Sequence, residues 1–202
     1  MHARSPLLAA MIALLTAAMP APQSQEEVLA FLQTRGAEFG RYTVSYADAN
    51  AEPALRFPAT LKRVTNYEYR DGLLFEVFDI VTTTDRSGSR YAAQQVRLHE
   101  HGRVEVPLAR VSPSMKIEQL GVTREWAVVV ECTEGDCVTQ TTNSETSFDK
   151  AGASETIANP DASVAKYNGN NFLCGRQDQC EELRTALARL VTLHGGKPRK
   201  PS

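Results

Sequence analysis

The sequence has few basic residues and no apolar run long enough to cross a membrane. Its 22 lysines and arginines are outnumbered by 24 aspartates and glutamates, which gives a formal net charge of −2. A nucleic-acid-binding protein normally has a strongly basic face, so this balance argues against a nucleic-acid partner. The apolar stretch Leu7–Ala18 has 12 residues, whereas a transmembrane helix needs roughly 18 to 20, so no membrane span is expected.

Recognisable catalytic motifs are also missing. No serine lies in a G-x-S-x-G sequence, which excludes the nucleophile elbow of the α/β-hydrolases, and Ser87 and Ser89 belong to a predicted turn. Cysteine is scarce, and a cysteine oxidised to a disulfide has no thiolate with which to attack a substrate. We therefore expect no catalytic residues and no cofactor. An enzyme with an unrecognised site stays open as an alternative.

What the sequence does contain, at its start, is the pattern of an export signal. Arg4 precedes the apolar stretch Leu7–Ala18, and small residues and prolines follow, as in a secretory signal peptide. Cleavage after Ala18 fits the small-residue rule, with Thr16 and Ala18 at the two recognition positions. Removal of residues 1–18 deletes one arginine and no acid, so the formal net charge changes from −2 to −3. A periplasmic or secreted protein is expected.

The four cysteines, Cys132, Cys137, Cys174 and Cys180, are expected to form disulfide bonds, because an even number in an exported chain usually pairs. Three connectivities are possible. Residues 128–138 read as strand, turn and strand, which would place Cys132 opposite Cys137 across a hairpin. We therefore favour Cys132–Cys137 and Cys174–Cys180. The alternative, a four-cysteine zinc site, needs thiolates paired as in C-x2-C, and here the gaps are four and five residues.

The length predicts a single domain over residues 19–196, followed by a basic tail at 197–202 whose interleaved prolines indicate disorder. Ser24 and Glu27 have capping-box spacing and predict the start of an N-terminal helix. A second, amphipathic helix is predicted before Gly195, and its apolar stripe must cover a sheet. The stripe consists of Leu183, Leu187, Leu190 and Val191.

The middle of the chain reads as antiparallel strands. Asp71-Gly72 predicts a two-residue hairpin turn between strands at 61–69 and 73–84. Further strands are expected at 91–99, 103–108, 126–130 and 138–142, with Gly102 as a separator. Residues 143–165 are rich in Ser, Thr, Asp and Glu and are predicted to be a mobile polar loop. The expected fold is α+β: an antiparallel β-meander or partly open barrel, with an N-terminal helix and a C-terminal amphipathic helix packed on the sheet.

Three segments also carry a family resemblance. Residues 25–32, the segment Val130–Val138, and Leu183–Leu193 with the following Gly195-Gly196-Lys197 resemble a loose group of exported bacterial proteins whose function is uncharacterised. The resemblance implies a pleckstrin-homology-like barrel closed by its terminal helix. It implies no activity.

His99 and His101 form the most metal-like pair, because residues i and i+2 of a strand project to the same face. No third ligand can be named for them. His99 is in phase with Arg97 on a face that reads as solvent-exposed, and Gly102 would place His101 in a turn. We therefore expect no metal site.

Two acids stand out because they interrupt an apolar strand. Glu76 and Asp79 could act in general acid/base chemistry if burial raised their pKa values. Exposure on a sheet face is the alternative interpretation, and the sequence cannot pair the two acids in space.

Aromatic residues could line a small-ligand pocket inside a barrel, although a barrel of this size is usually filled by its own side chains. The set consists of Tyr42, Tyr46, Tyr67, Tyr69, Phe75 and Phe78.

The function we expect is a non-catalytic interaction module that binds an unknown protein, peptide or envelope component through a sheet edge or loops. A carrier of a small apolar ligand is the alternative. The oligomeric state cannot be read from the sequence.

Overall fold

The computed structural model describes residues 24–47, 57–86, 95–121, 124–150, 153–159 and 161–199. The predicted signal peptide at 1–18 and the turn serines Ser87 and Ser89 lie outside these ranges. Among the described residues, no helix combines the length and the apolar character that a bilayer crossing requires.

The chain folds into two antiparallel sheets with helices, so the predicted α+β class with antiparallel strands is confirmed. The N-terminal helical segment consists of α1 (Gln25–Phe31), a π-helical turn (Leu32–Gly36) and α2 (Ala37–Phe39), and the C-terminal helix is α3 (Gln177–Leu193). The strands are β1 (Tyr42–Ala47), β2 (Pro58–Arg70), β3 (Leu73–Asp85), β4 (Gln95–Pro107), β5 (Lys116–Gln119), β6 (Trp126–Glu131), β7 (Val138–Lys150), β8 (Ala153–Ala158), β9 (Ser163–Tyr167) and β10 (Gly169–Cys174).

Over the residues that the structure describes, the large sheet has seven strands. Its order is β1-β2-β3-β4-β7-β8, and β9 pairs with β7 beside β8. The turn between β2 and β3 is the predicted one: Asp71 and Gly72 have φ angles of 51° and 79°, the left-handed values that a two-residue hairpin of this kind needs. β2 and β3 then pair without interruption from Ala59 with Thr84 to Arg70 with Leu73.

Residues 143–165 do not form the predicted loop, because most of them lie in β7, β8 and β9. β7 pairs with β4 along its length, so the backbone groups of this polar segment are used in the sheet. Thr and other β-branched residues favour strands, and an antiparallel strand that is open to water on one face needs few large apolar residues. The low apolar content of residues 143–165 therefore did not indicate that they form strands.

Two further expectations are corrected by the topology. Gly102 lies inside the continuous strand β4 and does not separate two strands, so His101 is also in the strand. β6 does not pair with β7; it is the central strand of a second, three-stranded sheet of order β10-β6-β5. The Cys132–Cys137 disulfide therefore spans the turn where the chain leaves the small sheet and enters the large one. Over the described residues the sheets do not close into a barrel.

The core lies under α3. Leu183, Leu187 and Leu190 are at most 1% exposed, and they join one apolar cluster with residues of both sheets and of α1. A second disulfide, Cys174–Cys180, ties the end of β10 to the first turns of α3. Both disulfides have the pairing that the sequence favours.

Candidate functional site: the cleft between the two sheets

The two sheets differ in length, and this difference creates a cleft. The strands β2, β3, β4 and β7 each have 13 residues, whereas β5, β6 and β10 have 4, 6 and 6. The small sheet therefore covers only part of the inner face of the large sheet. A cleft of about 640 Å³ lies between them. Its lining consists of Arg63, Glu76, Phe78, Ile80, Glu100, Val104, Leu120, Val129, Val130, Glu131, Gln140, Thr142, Tyr167, Asn168, Gly169, Asn170, Asn171 and Leu173.

A buried ion pair lines the cleft. Arg63 is 8% exposed and Glu76 is 1% exposed. Arg63 Nη2 donates to Glu76 Oε1 at 2.8 Å, and Arg63 Nε donates to Thr65 Oγ1 at 3.0 Å. The second carboxylate oxygen of Glu76 accepts from Asn170 Nδ2 at 2.9 Å. Because Asn170 belongs to β10, this network links the two sheets.

The strand register explains why these side chains meet. Side chains of a strand alternate between its faces, so Arg63, Thr65 and Tyr67 of β2 share the inner face, and Glu76 lies directly opposite Tyr67 on β3. The guanidinium of Arg63 also lies 5.4 Å from the centre of the Phe78 ring. Burial lowers the pKa of Arg63, but Glu76, Tyr42 and Tyr67 together raise it above its usual value, so Arg63 stays charged.

Tyr67 lies opposite Glu76 on the neighbouring strand, but it is not one of the residues that line the cleft. The residue is 4% exposed, its ring packs against Phe172 with centroids 6.1 Å apart, and its hydroxyl has no hydrogen-bond partner among the described residues. Burial and the negative charge of Glu76 raise the pKa of Tyr67 well above its usual value. The hydroxyl is therefore protonated and can donate a hydrogen bond.

Tyr42 on β1 lies beside this network and is half-buried. Burial raises the pKa of Tyr42, and the neighbouring carboxylate of Glu125 raises it further. This phenol also keeps its proton at physiological pH.

Four amide side chains belong to the polar part of the lining: Gln140 on β7, and Asn168, Asn170 and Asn171 in and before β10. Gln140 Nε2 donates to Thr142 Oγ1 at 3.0 Å. Gly169 sits in the middle of this run because a Cβ there would collide with the backbone oxygen of Val130. Only glycine lets the chain approach β6 so closely. Tyr167, which is 45% exposed, precedes the run.

Glu131 is held by basic partners outside the cleft. Arg199 Nη1 lies 3.0 Å from its carboxylate and Lys116 Nζ lies 3.9 Å from it. Arg199, in the described part of the basic tail, therefore contacts the end of β6. No ion pair is seen for Glu100 in the parts of the chain that are described. With Glu76 and Glu131 neutralised, the cleft carries one excess negative charge.

The structure separates the two acids that the sequence singled out. Glu76 faces the cleft, whereas Asp79, three residues along β3, lies on the outer face of the sheet and is exposed. Five of the six predicted aromatics, Tyr42, Tyr46, Tyr67, Tyr69 and Phe78, occupy positions on the inner face. Phe75 lies on the outer face, where Arg103 stacks 4.9 Å from its ring centre.

The histidine pair also lies on the outer face. His99 bridges two strands: Nε2 is 3.0 Å from Asp79 Oδ2 and Nδ1 is 3.1 Å from Glu145 Oε1. Both hydrogen bonds raise the pKa of His99, and the bond with Asp79 has the larger effect. The His101 ring is 5.7 Å away. Within the described ranges, no three His, Cys, Asp or Glu side chains are arranged to hold a metal ion.

Sequence reasoning missed Arg63 and Asn170. The available signals were an arginine at an inner-face position of an alternating strand and the amide-rich run at 168–171.

Comparison with known proteins adds no assignment, because the chain matches no family model, no curated protein and no solved structure.

Proposed function

We propose that this protein is an exported, non-catalytic binding module that holds its ligand, or the polar end of an envelope component, in the cleft between the two sheets. The observation that carries this proposal is the hydrogen-bonded network of Arg63, Glu76 and Asn170, which lines a cleft of about 640 Å³. Ligand pockets commonly have volumes of about 300 to 1,000 Å³ and contain a few fixed polar groups on a mostly apolar lining.

Stability is a poor explanation for this network. Replacement of a buried ion pair by apolar residues of similar volume is often neutral or stabilising, because taking two charges out of water costs several kcal/mol per ion. A pair fixed by partners from both sheets is better explained as part of a preformed recognition surface.

The arrangement favours binding over catalysis. Each oxygen of Glu76 accepts a hydrogen bond, one from Arg63 and the other from Asn170, and these bonds hold the carboxylate as a fixed part of the cleft wall. The four cysteines are in disulfides and offer no thiolate.

Export and fold identity belong to the same proposal. The two disulfides and the signal-peptide pattern at 1–18 support an oxidising compartment. The terminal helix α3, packed on antiparallel sheets, supports kinship with the exported proteins of pleckstrin-homology-like fold.

The experiment fills the cleft. Gln140→Trp places a bulky side chain in the cleft, and Thr139→Trp places the same side chain on the opposite face of β7 as a control. Thermal unfolding is followed in the presence of three probes, tested separately: maltotriose, tri-alanine and lysophosphatidylcholine. A ligand that binds only the native state raises the midpoint temperature Tm.

We expect at least one probe to raise the Tm of the wild type and of Thr139→Trp but not of Gln140→Trp. A response to lysophosphatidylcholine alone would favour the alternative function, a carrier of an apolar ligand. If none of the probes raises Tm, or if Gln140→Trp responds like the wild type, the cleft is not the binding site and the proposal is wrong.

A further inference from the structure

We infer that the cleft binds an extended peptide, which adds as a strand to the open edge of β10. This inference rests on the proposed function and names its ligand class. Among the described residues, β10 pairs with one strand only, β6, so its other edge has no partner strand there. Residues 169–171 and Leu173 of β10 line the cleft. A strand edge therefore forms part of the cleft wall.

The ladder between β10 and β6 shows which backbone groups point to this open edge. In an antiparallel pair, every second pair of opposite residues exchanges both backbone hydrogen bonds. At the end of the ladder, Asn168 O accepts from the N–H of Cys132 at 2.7 Å. The register then assigns the remaining bonds with β6 to the even-numbered residues of β10. The backbone groups of the odd-numbered residues point away from β6, and these residues are Gly169, Asn171 and Leu173.

The far side of β6 gives an independent check of this assignment. There the backbone N–H of Ser112 donates to Glu131 O at 2.9 Å. Odd-numbered residues of β6 thus bond away from β10, as they must if its even-numbered residues bond toward β10. Within the described ranges, no other residue makes a hydrogen bond to the outward backbone groups of β10. These groups are available to a ligand.

The two edges of the small sheet differ in how they are protected against pairing. The opposite edge strand, β5, has four residues and carries Lys116 and Glu118. Short length and charge both discourage pairing with another chain. β10 has six residues, and none of them is charged or a proline. The edge of β10 therefore keeps the chemistry of strand pairing, and the cleft around it limits which chains can reach it.

An extended peptide is the ligand that matches these groups in series. Alternate residues of a strand repeat about every 6.5 to 7 Å, and each presents one N–H and one C=O to the same edge. An added peptide strand has the same repeat, so its main chain can pair with the outward groups one after another. A lipid chain has no donors or acceptors and would leave them without partners when it displaced water.

The rest of the lining indicates which side chains the peptide carries. In strand addition, main-chain hydrogen bonds provide affinity and contacts with alternate side chains provide specificity. Phe78, Ile80 and Leu173 offer apolar contacts, and Glu100 gives the cleft its excess negative charge. A peptide with apolar residues on both sides of a lysine or arginine should therefore bind better than its acidic counterpart.

The test separates the backbone from the side chain at one position of the edge. Asn171→Pro removes an outward N–H, and proline is tolerated in an edge strand where the N–H points away from the sheet. Asn171→Ala is the matched control, because it keeps this N–H and removes the side-chain amide. The probe is the capped peptide acetyl-Thr-Val-Lys-Val-Thr-amide. Backbone amide chemical shifts report the site and the Kd, and urea melts report stability.

A second comparison changes the peptide and leaves the protein as it is. One peptide is N-methylated at its three central residues, which removes donors needed for strand pairing and keeps the side chains. Another has glutamate in place of the lysine. If Asn171→Pro does not fold, these comparisons with the wild type decide.

We expect saturable shifts at the backbone amides of Gly169, Asn171 and Leu173 in the wild type. Asn171→Pro should weaken binding about three- to ten-fold, the value of one hydrogen bond, and Asn171→Ala should keep the wild-type Kd. The N-methylated peptide should give no saturable shifts at concentrations that saturate with the parent peptide. The glutamate peptide should bind more weakly than the lysine peptide.

Failure of this inference can be distinguished from failure of the proposed function. Equal loss of binding in both Asn171 variants, or unchanged binding of the N-methylated peptide, would overturn strand addition. Shifts centred on the β1 edge would overturn the assignment to β10, and equal or tighter binding of the glutamate peptide would overturn the role of Glu100. Maltotriose or lysophosphatidylcholine binding in the cleft, with no response to any peptide, would overturn the peptide assignment and leave the binding module standing. No response to any of the probes would overturn both proposals.

Discussion

Arg63 and Glu76 are both buried, and each offsets the free-energy cost of removing the other's charge from water. We expect Arg63→Met alone to destabilise the protein by about 3 kcal/mol, because it leaves the Glu76 carboxylate buried without its cation. The double variant Arg63→Met/Glu76→Leu should recover most of this loss, since neither charge is then buried. Urea unfolding of the two single variants and the double variant measures the coupling. Additive losses would show that the two charges do not interact.

His99 is expected to make stability depend on pH. Its pKa is raised in the folded protein by Asp79 and Glu145, so its contribution is fully present below the unfolded pKa of about 6.5. It is lost as the pH rises through the higher folded value. His99→Gln should therefore be less stable than the wild type at acidic pH and nearly equal to it at alkaline pH.

The size of the His99 effect is limited by solvent. The side chains of Asp79 and Glu145 are 53% and 46% exposed, and screened ion pairs of this kind contribute about 0.2 to 1 kcal/mol. Urea melts of both proteins at several pH values measure the difference. In an Asp79→Asn background the difference should shrink. A difference that grows with rising pH would contradict the assignment.

At the residue scale, the sequence could identify single members of the site but not their partners. Glu76 stood out because a carboxylate in an apolar strand is unusual. Its partner Asn170 is 94 residues away in the chain, and only the stacking of two sheets brings them together. Asp79 has the same local signal as Glu76, and the structure places it on the opposite face.

At the scale of elements, turns with defined chemistry were predictable. Asp71-Gly72 specifies its hairpin because few residues adopt positive φ angles, and the Ser24–Glu27 capping box forms as its spacing predicts. The strands β7, β8 and β9 were not predictable from apolar content, because their stability comes from cross-strand partners such as β4. The sequence predicts that β6 pairs with β7, because the two strands are adjacent in the chain. In the structure β6 pairs with β5 and β10, because the chain changes sheet between β6 and β7.

Helix α3 is the element whose packing should matter most to stability. Leu187 is 1% exposed, and Leu187→Ala should cost about 2 to 4 kcal/mol because it leaves a cavity beneath the helix. Leu193 of the same helix is 42% exposed, so Leu193→Ala is the matched control and should cost less than about 0.5 kcal/mol. Denaturant melts compare them. Equal losses would mean that α3 does not bury its apolar stripe as described.

At the scale of the whole molecule, the two sheets share one core. The apolar cluster joins Val28 of α1 and Leu74 of β3 to Val128 of β6 and Leu187 of α3. The Arg63–Glu76–Asn170 network adds a polar connection between the sheets. Among the described residues, neither sheet has an apolar cluster of its own, so we infer that they fold together.

This shared core predicts a single cooperative unfolding transition. The chain has one tryptophan. Trp126 lies on β6, so its fluorescence reports the small sheet, whereas far-UV circular dichroism is dominated by the longer strands of the large sheet. With the disulfides intact, the two signals should change at the same urea concentration, as expected for a two-state domain. If fluorescence changed first, the small sheet would unfold separately and the cleft would lose one wall while the large sheet persisted. Coincident transitions would instead mean that the cleft exists only in the fully folded protein, so that any ligand bound there stabilises both sheets equally.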